Sequence, residues 1–198
     1  MKIILASQSP RRRELLERMG VRDFQVVTPD IDEHMERDLP PDALVEAIAG
    51  EKAVAVCRQA DDPQAVVIAA DTVVALDGAV LGKPADQADA FAMLSALAGK
   101  RHQVYTGVAV VGPKGTQVVS ERTEVAFRPL TEGEIRAYIA TGEPMDKAGA
   151  YGIQGYGALL IEGIRGDYYN VMGLPVCRLG RMLAEAGVDC LALAAGRS

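Results

Sequence analysis

Blocks of apolar residues separated by polar turns divide this 198-residue chain into regular elements. K-I-I-L-A (2–6) is a short apolar run that suits a buried strand. Ser9 follows as a helix cap with Pro10 at the first helical position, and that helix should stop at Gly20. F-Q-V-V-T (24–28) predicts a second strand, which leads into the acidic loop P-D-I-D-E (29–33). Residues 40–60 read as one long helix, with Gly50 its weak point. A-V-V-I-A-A-D-T-V-V-A-L (65–76) is β-branched and bounded by turns, hence a strand, and Asp77-Gly78 marks a hairpin after it.

A helix from about 85 to 98 ends at Gly99, and two strands then flank P-K-G as a hairpin would. Thr131 and Glu134 make a capping-box pattern at the start of E-G-E-I-R-A-Y-I-A. A-L-L-I-E-G-I (158–164) predicts a further strand and residues 174–186 the last helix, while the tail from Gly187 (187–198) carries no clear role. Helices and strands alternate with hairpins among them, which describes a mixed-sheet α/β protein rather than a strictly parallel one. No repeat or linker interrupts it, so 1–198 is read as one domain.

Composition narrows the function. Net charge is −6, from 21 basic and 27 acidic residues, which argues against wrapping a nucleic-acid polymer. A small phosphorylated ligand is still allowed, because a pocket needs only a few placed cations. Three scattered cysteines and two histidines show no zinc spacing and suit a reducing compartment. The opening apolar stretch is too short for a signal-peptide core and no later run has spanning length, so the expectation is a cytoplasmic protein with no membrane partner.

Candidate chemistry sits in five places. Arg11, Arg12 and Arg13 crowd a helix N-terminus, where the dipole prefers anions; they form either a solvated basic turn or part of a phosphate site. Asp30, Asp32 and Glu33 supply oxygen ligands suited to a hard divalent cation, or are an ordinary acidic loop. Lys52 shares a helical stripe with Val45, Ile48 and Ala55, so it either snorkels to solvent or meets an anion. Asp71 interrupts an apolar strand, which is unfavourable unless a cation, metal or hydrogen bonds compensate it; a structural ion pair would look the same as a functional group. D-K-A-G-A-Y-G-I-Q-G-Y-G (146–157) frames Ile153 and Gln154 with four glycines, which allow tight turns and close approach to a ligand. Gln154 offers a donor and an acceptor for a planar base. Lys83, in G-K-P, lacks the context of a phosphate-binding P-loop.

Together L-A-S-Q-S-P-R-R, P-D-I-D-E, E-K-A, A-A-D-T-V-V, G-K-P, Y-T-G-V, D-K-A-G-A-Y-G-I-Q-G and Y-Y-N-V-M-G-L-P resemble, in order, the Maf family of nucleoside triphosphate pyrophosphatases. The resemblance implies a fold related to inosine triphosphate pyrophosphatases: an elongated mixed sheet with flanking helices, and two lobes around a cleft. It implies a small-molecule nucleoside triphosphate as substrate, cleaved to monophosphate and pyrophosphate with Mg²⁺ or Mn²⁺. By the same resemblance Asp71 is the proton acceptor for the attacking water and, with Glu33, a metal ligand. Ser9, Arg12, Lys52 and Lys83 fall on phosphate-contact positions.

Arg11, Thr72 and Gln154 match the specificity positions of the dTTP/UTP-cleaving branch. The branch acting on 7-methylguanosine triphosphate tends to carry an aromatic residue, Gln and Glu there. The expectation is therefore a house-cleaning dTTP/UTP pyrophosphatase that also accepts modified pyrimidine nucleotides. The alternatives are a nucleotide-binding regulator of cell division without turnover, and the same chemistry on a purine. The family also admits a homodimer, although no stretch of this sequence marks an interface.

Overall fold

A computed structural model describes residues 1–31, 38–60 and 62–196. Its elements run β1 (Ile3–Ala6), α1 (Pro10–Arg18), β2 (Gln25–Val26), α2 (Pro41–Gln59), β3 (Val66–Leu76), β4 (Ala79–Leu81) and α3 (Gln87–Leu97). Next come β5 (Arg101–Gly112), β6 (Gly115–Phe127), α4 (Glu132–Ala140), β7 (Ile161–Arg165), α5 (Tyr168–Met172), α6 (Val176–Ala186) and α7 (Cys190–Ala194). The strands form one seven-stranded sheet in the order β2-β1-β3-β5-β6-β7, with β4 paired to β3. β1 lies parallel to β2 and β3, whereas β3–β4 and β6–β7 are antiparallel, so the sheet is mixed as the alternation of elements predicts.

The chain divides into two compact units. The first comprises residues 1–71, 106–121 and 173–198; the second comprises 72–105 and 122–172. Within the first, Ile4, Ala6, Val67, Ala69 and Ala109 of the sheet pack against Ala49, Ala53 and Val56 of α2. Gly107 in β5 is needed here, because a Cβ would overlap the Val45 carbonyl; its absence lets the α2 backbone lie directly on the strand. Within the second, Val74, Leu94, Val104, Phe127, Ile135, Tyr138 and Tyr151 form the core.

Local signals explain most boundaries. Asp77 and Gly78 both take positive φ (51° and 86°), as the hairpin turn from β3 to β4 requires. Thr131 and Glu134 complete the capping box of α4, and Asp86 caps α3 by accepting from the Asp89 amide. Gly50 does not break α2; a Cβ there would sit 3.7 Å from Val118, an ordinary contact, so the glycine is not demanded by space.

Four expectations need correction. Ser9 occupies the N-cap of α1, but its hydroxyl makes no capping bond. The second strand shrinks to Gln25–Val26, both exposed. Residues 156–160 form a 3₁₀ helix rather than the start of β7, since Gly157 and its neighbours turn back onto a carboxylate described below. The tail is not featureless either: Asp189 accepts from the amides of Leu191 and Ala192 and starts α7. α5 had no periodic signal because it is one turn long.

Candidate active site

The charged centre lies in the first unit. Asp71 is the last residue of that unit's first segment, on β3 between the buried runs 66–70 and 73–76. Lys52 Nζ donates to Asp71 Oδ1 at 2.8 Å, with side-chain exposures of 6% and 14%. Lys52 therefore does not snorkel. The buried stripe of α2 is Val45, Ile48, Ala49, Lys52, Ala53 and Val56, with Ala53 and Val56 in place of the expected Ala55. With α2 laid on the sheet, that stripe turns the ammonium onto the strand. Each charge compensates the other's loss of water, which is the condition under which a strand tolerates a carboxylate. Asp71 nonetheless keeps a little accessible surface, so its carboxylate can still meet a small molecule.

The three arginines separate as the helical geometry demands. Arg13 pairs with Glu17 at 3.1 Å on the exposed face, an ordinary solvated pair. Arg12 turns the other way: its Nε donates to the Gly173 carbonyl at 2.8 Å and its Nη1 to Ser7 Oγ at 3.3 Å. Ser7 also accepts from the Ser9 amide at 3.3 Å, so one buried hydroxyl ties the turn to the guanidinium. Arg11 and Ser9 are half-buried beside it. The start of α1 thus carries cations and an uncapped set of amides, which together favour an anion.

The acidic loop is only partly described. Asp32 and Glu33 lie outside the described residues. Asp30 is exposed and lines a pocket of about 480 Å³ with Glu46, Gly50, Glu51, Val54 and Arg58. These positions fall on the face of α2 opposite Lys52, so Asp30 does not join Asp71.

The second unit holds Thr72, Lys83 and Gln154. Thr72 follows Asp71 directly on β3. Lys83 is exposed, and the carbonyl of its neighbour Gly82 accepts from the Gly149 amide at 2.9 Å, which fastens the glycine-rich segment to the loop after β4. Gly149 has φ +67°, and a Cβ there would crowd Val74 of β3. Gln154 projects as an exposed residue.

The other glycines of that segment do something the sequence did not suggest. A Cβ on Gly155 would overlap Glu143 Oε2, and one on Gly157 would overlap the Gly152 carbonyl and crowd Tyr138 Oη. They clear space for the protein's own Glu143 and Tyr138 side chains and for the Gly152 carbonyl. Glu143 Oε2 accepts from the Tyr156 amide at 2.8 Å; its Oε1 accepts from the Gly157 amide at 3.0 Å and from Tyr138 Oη at 2.8 Å. Tyr138 Oη in turn accepts from the Gly152 amide at 3.1 Å.

Burial alone would raise the Glu143 carboxyl. The Gly157 amide, the Tyr138 hydroxyl, the Tyr156 amide and the Lys147 charge together hold it below the usual range. Burial pushes the Tyr138 phenol up, so it keeps its proton and donates. Sequence reading missed Ser7, Gly173, Tyr138 and Glu143. The available hint was an acid, Glu143, just upstream of the glycine run.

Tyr151 anchors the same segment from below, with its hydroxyl 2.7 Å from His102 Nε2 and both rings packed edge-on against Phe127. Burial pushes His102 from its ordinary value near 6.5 down to about 4, so the ring is neutral in the folded protein. The unfolded chain takes up this proton near pH 6.5 and the folded chain only near 4. Stability from this site is therefore complete above 6.5 and lost as pH falls towards 4, on the order of 3 kcal/mol. A His102→Gln protein should start less stable at pH 7 yet show a shallower acid decline in denaturant titrations; parallel declines would refute the assignment.

A family model described as Maf-like protein matches residues 2–186. The chain belongs to the Maf family. Within it, a protein of Moorella thermoacetica named dTTP/UTP pyrophosphatase is 56% identical over 190 residues, covering 95% of this chain and 96% of the relative. A protein of the same name from Pelotomaculum thermopropionicum is 52% identical over 192 residues, covering 96% and 99%. Another from Symbiobacterium thermophilum is 51% identical over 195 residues, covering 98% and 99%. Among solved structures, a nucleoside-triphosphatase / dITP/XTP pyrophosphatase of Mycobacterium abscessus aligns over 93% of both chains at 20% identity and TM-score 0.43, a loose likeness.

Proposed function

We propose that this protein is a nucleoside triphosphate pyrophosphatase that hydrolyses dTTP and UTP to the monophosphate and pyrophosphate. The observation that carries the reading is the Lys52–Asp71 pair: a carboxylate held in place by a buried ammonium, in a chain about half identical to relatives named for this activity. Arg12, oriented by Ser7 and Gly173, together with Ser9 and the open amides of α1, binds phosphate oxygens. Lys83 adds a further cation. Asp71 accepts a proton from the water whose oxygen bonds to the α-phosphorus. The bond from that phosphorus to the bridging oxygen breaks, and its electron pair leaves with pyrophosphate. Lys52 fixes the carboxylate through Oδ1 and so fixes where the proton goes. Arg11, Thr72 and Gln154 select the base; the Gln154 amide can both donate to and accept from a pyrimidine edge.

A divalent cation fits this donor set. Among the described residues no three His, Cys, Asp or Glu side chains gather into a cage. Mg²⁺ and Mn²⁺ need none, since one or two carboxylates plus substrate phosphates suffice. Asp71 and Glu33 would hold the ion, which when bound neutralises charge developing on the phosphates. Among the described residues no helix is long and apolar enough to cross a membrane, and all three cysteines are free. We propose the cytoplasm as the enzyme's compartment, as the scattered cysteines of the sequence suggest; the family also admits a homodimer.

The test is a panel of UTP, dTTP, CTP, GTP and 7-methylguanosine triphosphate with Mg²⁺ or Mn²⁺, products resolved by chromatography. UTP and dTTP should give monophosphate and pyrophosphate at the highest kcat/KM. Binding without turnover would point to a regulator, and a purine preference would move the substrate class; either result refutes the proposal.

A further inference from the structure

We infer that Glu143 and Tyr138 are positioning residues that hold the Gly152–Gly157 loop in the single conformation presenting Gln154, and thereby set pyrimidine selectivity. The inference rests on the reading of Gln154 as a base-selecting residue. Gln154 is exposed, so packing of its own side chain does not fix it. Its backbone is fixed instead from both ends. The Gly152 amide, two residues before it, is held by Tyr138 Oη, and the Tyr156 and Gly157 amides, after it, by the two oxygens of Glu143. The Tyr138–Glu143 bond closes the ring, so a hydroxyl and a carboxylate clamp both sides of one short turn.

The supports are themselves anchored. Tyr138 is buried in the core of its unit on α4, and Lys147 Nζ donates to the Glu143 carbonyl at 2.6 Å. Fixing the loop beforehand matters for selectivity because it sets the Cα position from which the Gln154 amide reaches the base, and a displaced amide no longer meets the donors and acceptors of the base edge. The clamp is made of Tyr138, Glu143 and the loop's own amides, none of which is among the residues assigned to the phosphates. Its loss should therefore appear in the discrimination between bases, not in the chemical step.

Three variants attack the clamp independently. Tyr138→Phe removes the shared hydroxyl. Glu143→Gln keeps Oε1 as an acceptor but sets an amide N–H₂ against the Tyr156 N–H. Gly155→Ala drives a methyl into Glu143 Oε2. Steady-state kinetics would be measured with UTP, dTTP and GTP, and inhibition with inorganic tripolyphosphate as a base-free probe.

The expected result is a KM for UTP raised about tenfold, kcat within a few-fold, a UTP-to-GTP ratio of kcat/KM reduced about tenfold, and unchanged tripolyphosphate inhibition. Glu143→Gln should be milder than Glu143→Ala. A merely structural role would lower kcat for all substrates together and weaken tripolyphosphate as well. Folded variants with wild-type UTP-to-GTP ratios would overturn the inference. A wild-type protein that cleaves neither UTP nor dTTP would instead overturn the proposed function.

Discussion

Asp71→Asn should lower kcat for UTP by about 10²–10⁴-fold while nucleotide affinity changes by no more than a few-fold. Asparagine has the same shape and keeps an Oδ1 that can accept from Lys52 Nζ, now 2.8 Å from the carboxylate. The buried ammonium thus keeps a hydrogen bond, and the strand keeps its packing. What disappears is the ability to accept a proton from water, together with one negative charge suited to a divalent cation. Pyrophosphate release gives kcat, and calorimetric titration with a UTP analogue carrying a non-hydrolysable α–β linkage gives affinity. Near-normal turnover in this variant would remove Asp71 from the chemistry and with it the proposed mechanism.

Lys52→Met carries the next largest effect, and on two properties at once. Methionine matches the length of the buried stem but leaves Asp71, with a side chain only 14% exposed, without its cation. Breaking a buried pair by removing one member typically costs about 3–5 kcal/mol, and the residual exposure of Asp71 places this case near the lower figure. Activity should fall as well, because the carboxylate loses the contact that aims it. The double variant Lys52→Met/Asp71→Asn separates these effects. It should recover much of the stability, since no uncompensated charge remains, yet stay inactive. Denaturant titrations of the four proteins of this cycle give the coupling between the two side chains. A single Lys52→Met variant as stable as the wild type would show that the pair contributes nothing to the fold.

Much of the fold could be read from local signals that act within a few residues. The turn at Asp77-Gly78, the capping box at Thr131 and Glu134, and the proline at the start of α1 each state their own geometry. The limits show at 158–160, where A-L-L carries a strand-like composition but bends as a 3₁₀ helix. The cause is non-local: the amides of Tyr156 and Gly157 bind a carboxylate that precedes them by more than a dozen residues. Lys52 is the same lesson in a milder form. Periodicity placed it on the buried stripe of α2, but whether it met solvent or an anion depended on β3, which no helical count can see. The supports of Arg12 were further out of reach, since Gly173 acts through a carbonyl that every residue possesses.

The crowding of Gly155 and Gly157 has a practical bearing on altering base preference. Libraries that randomise this turn around a retained Glu143 would mostly yield members whose turn is displaced, because any side chain at those two positions meets an occupied space. Productive changes would have to vary the acid and the turn jointly, as one heritable unit, or leave the turn untouched and work at Gln154 alone.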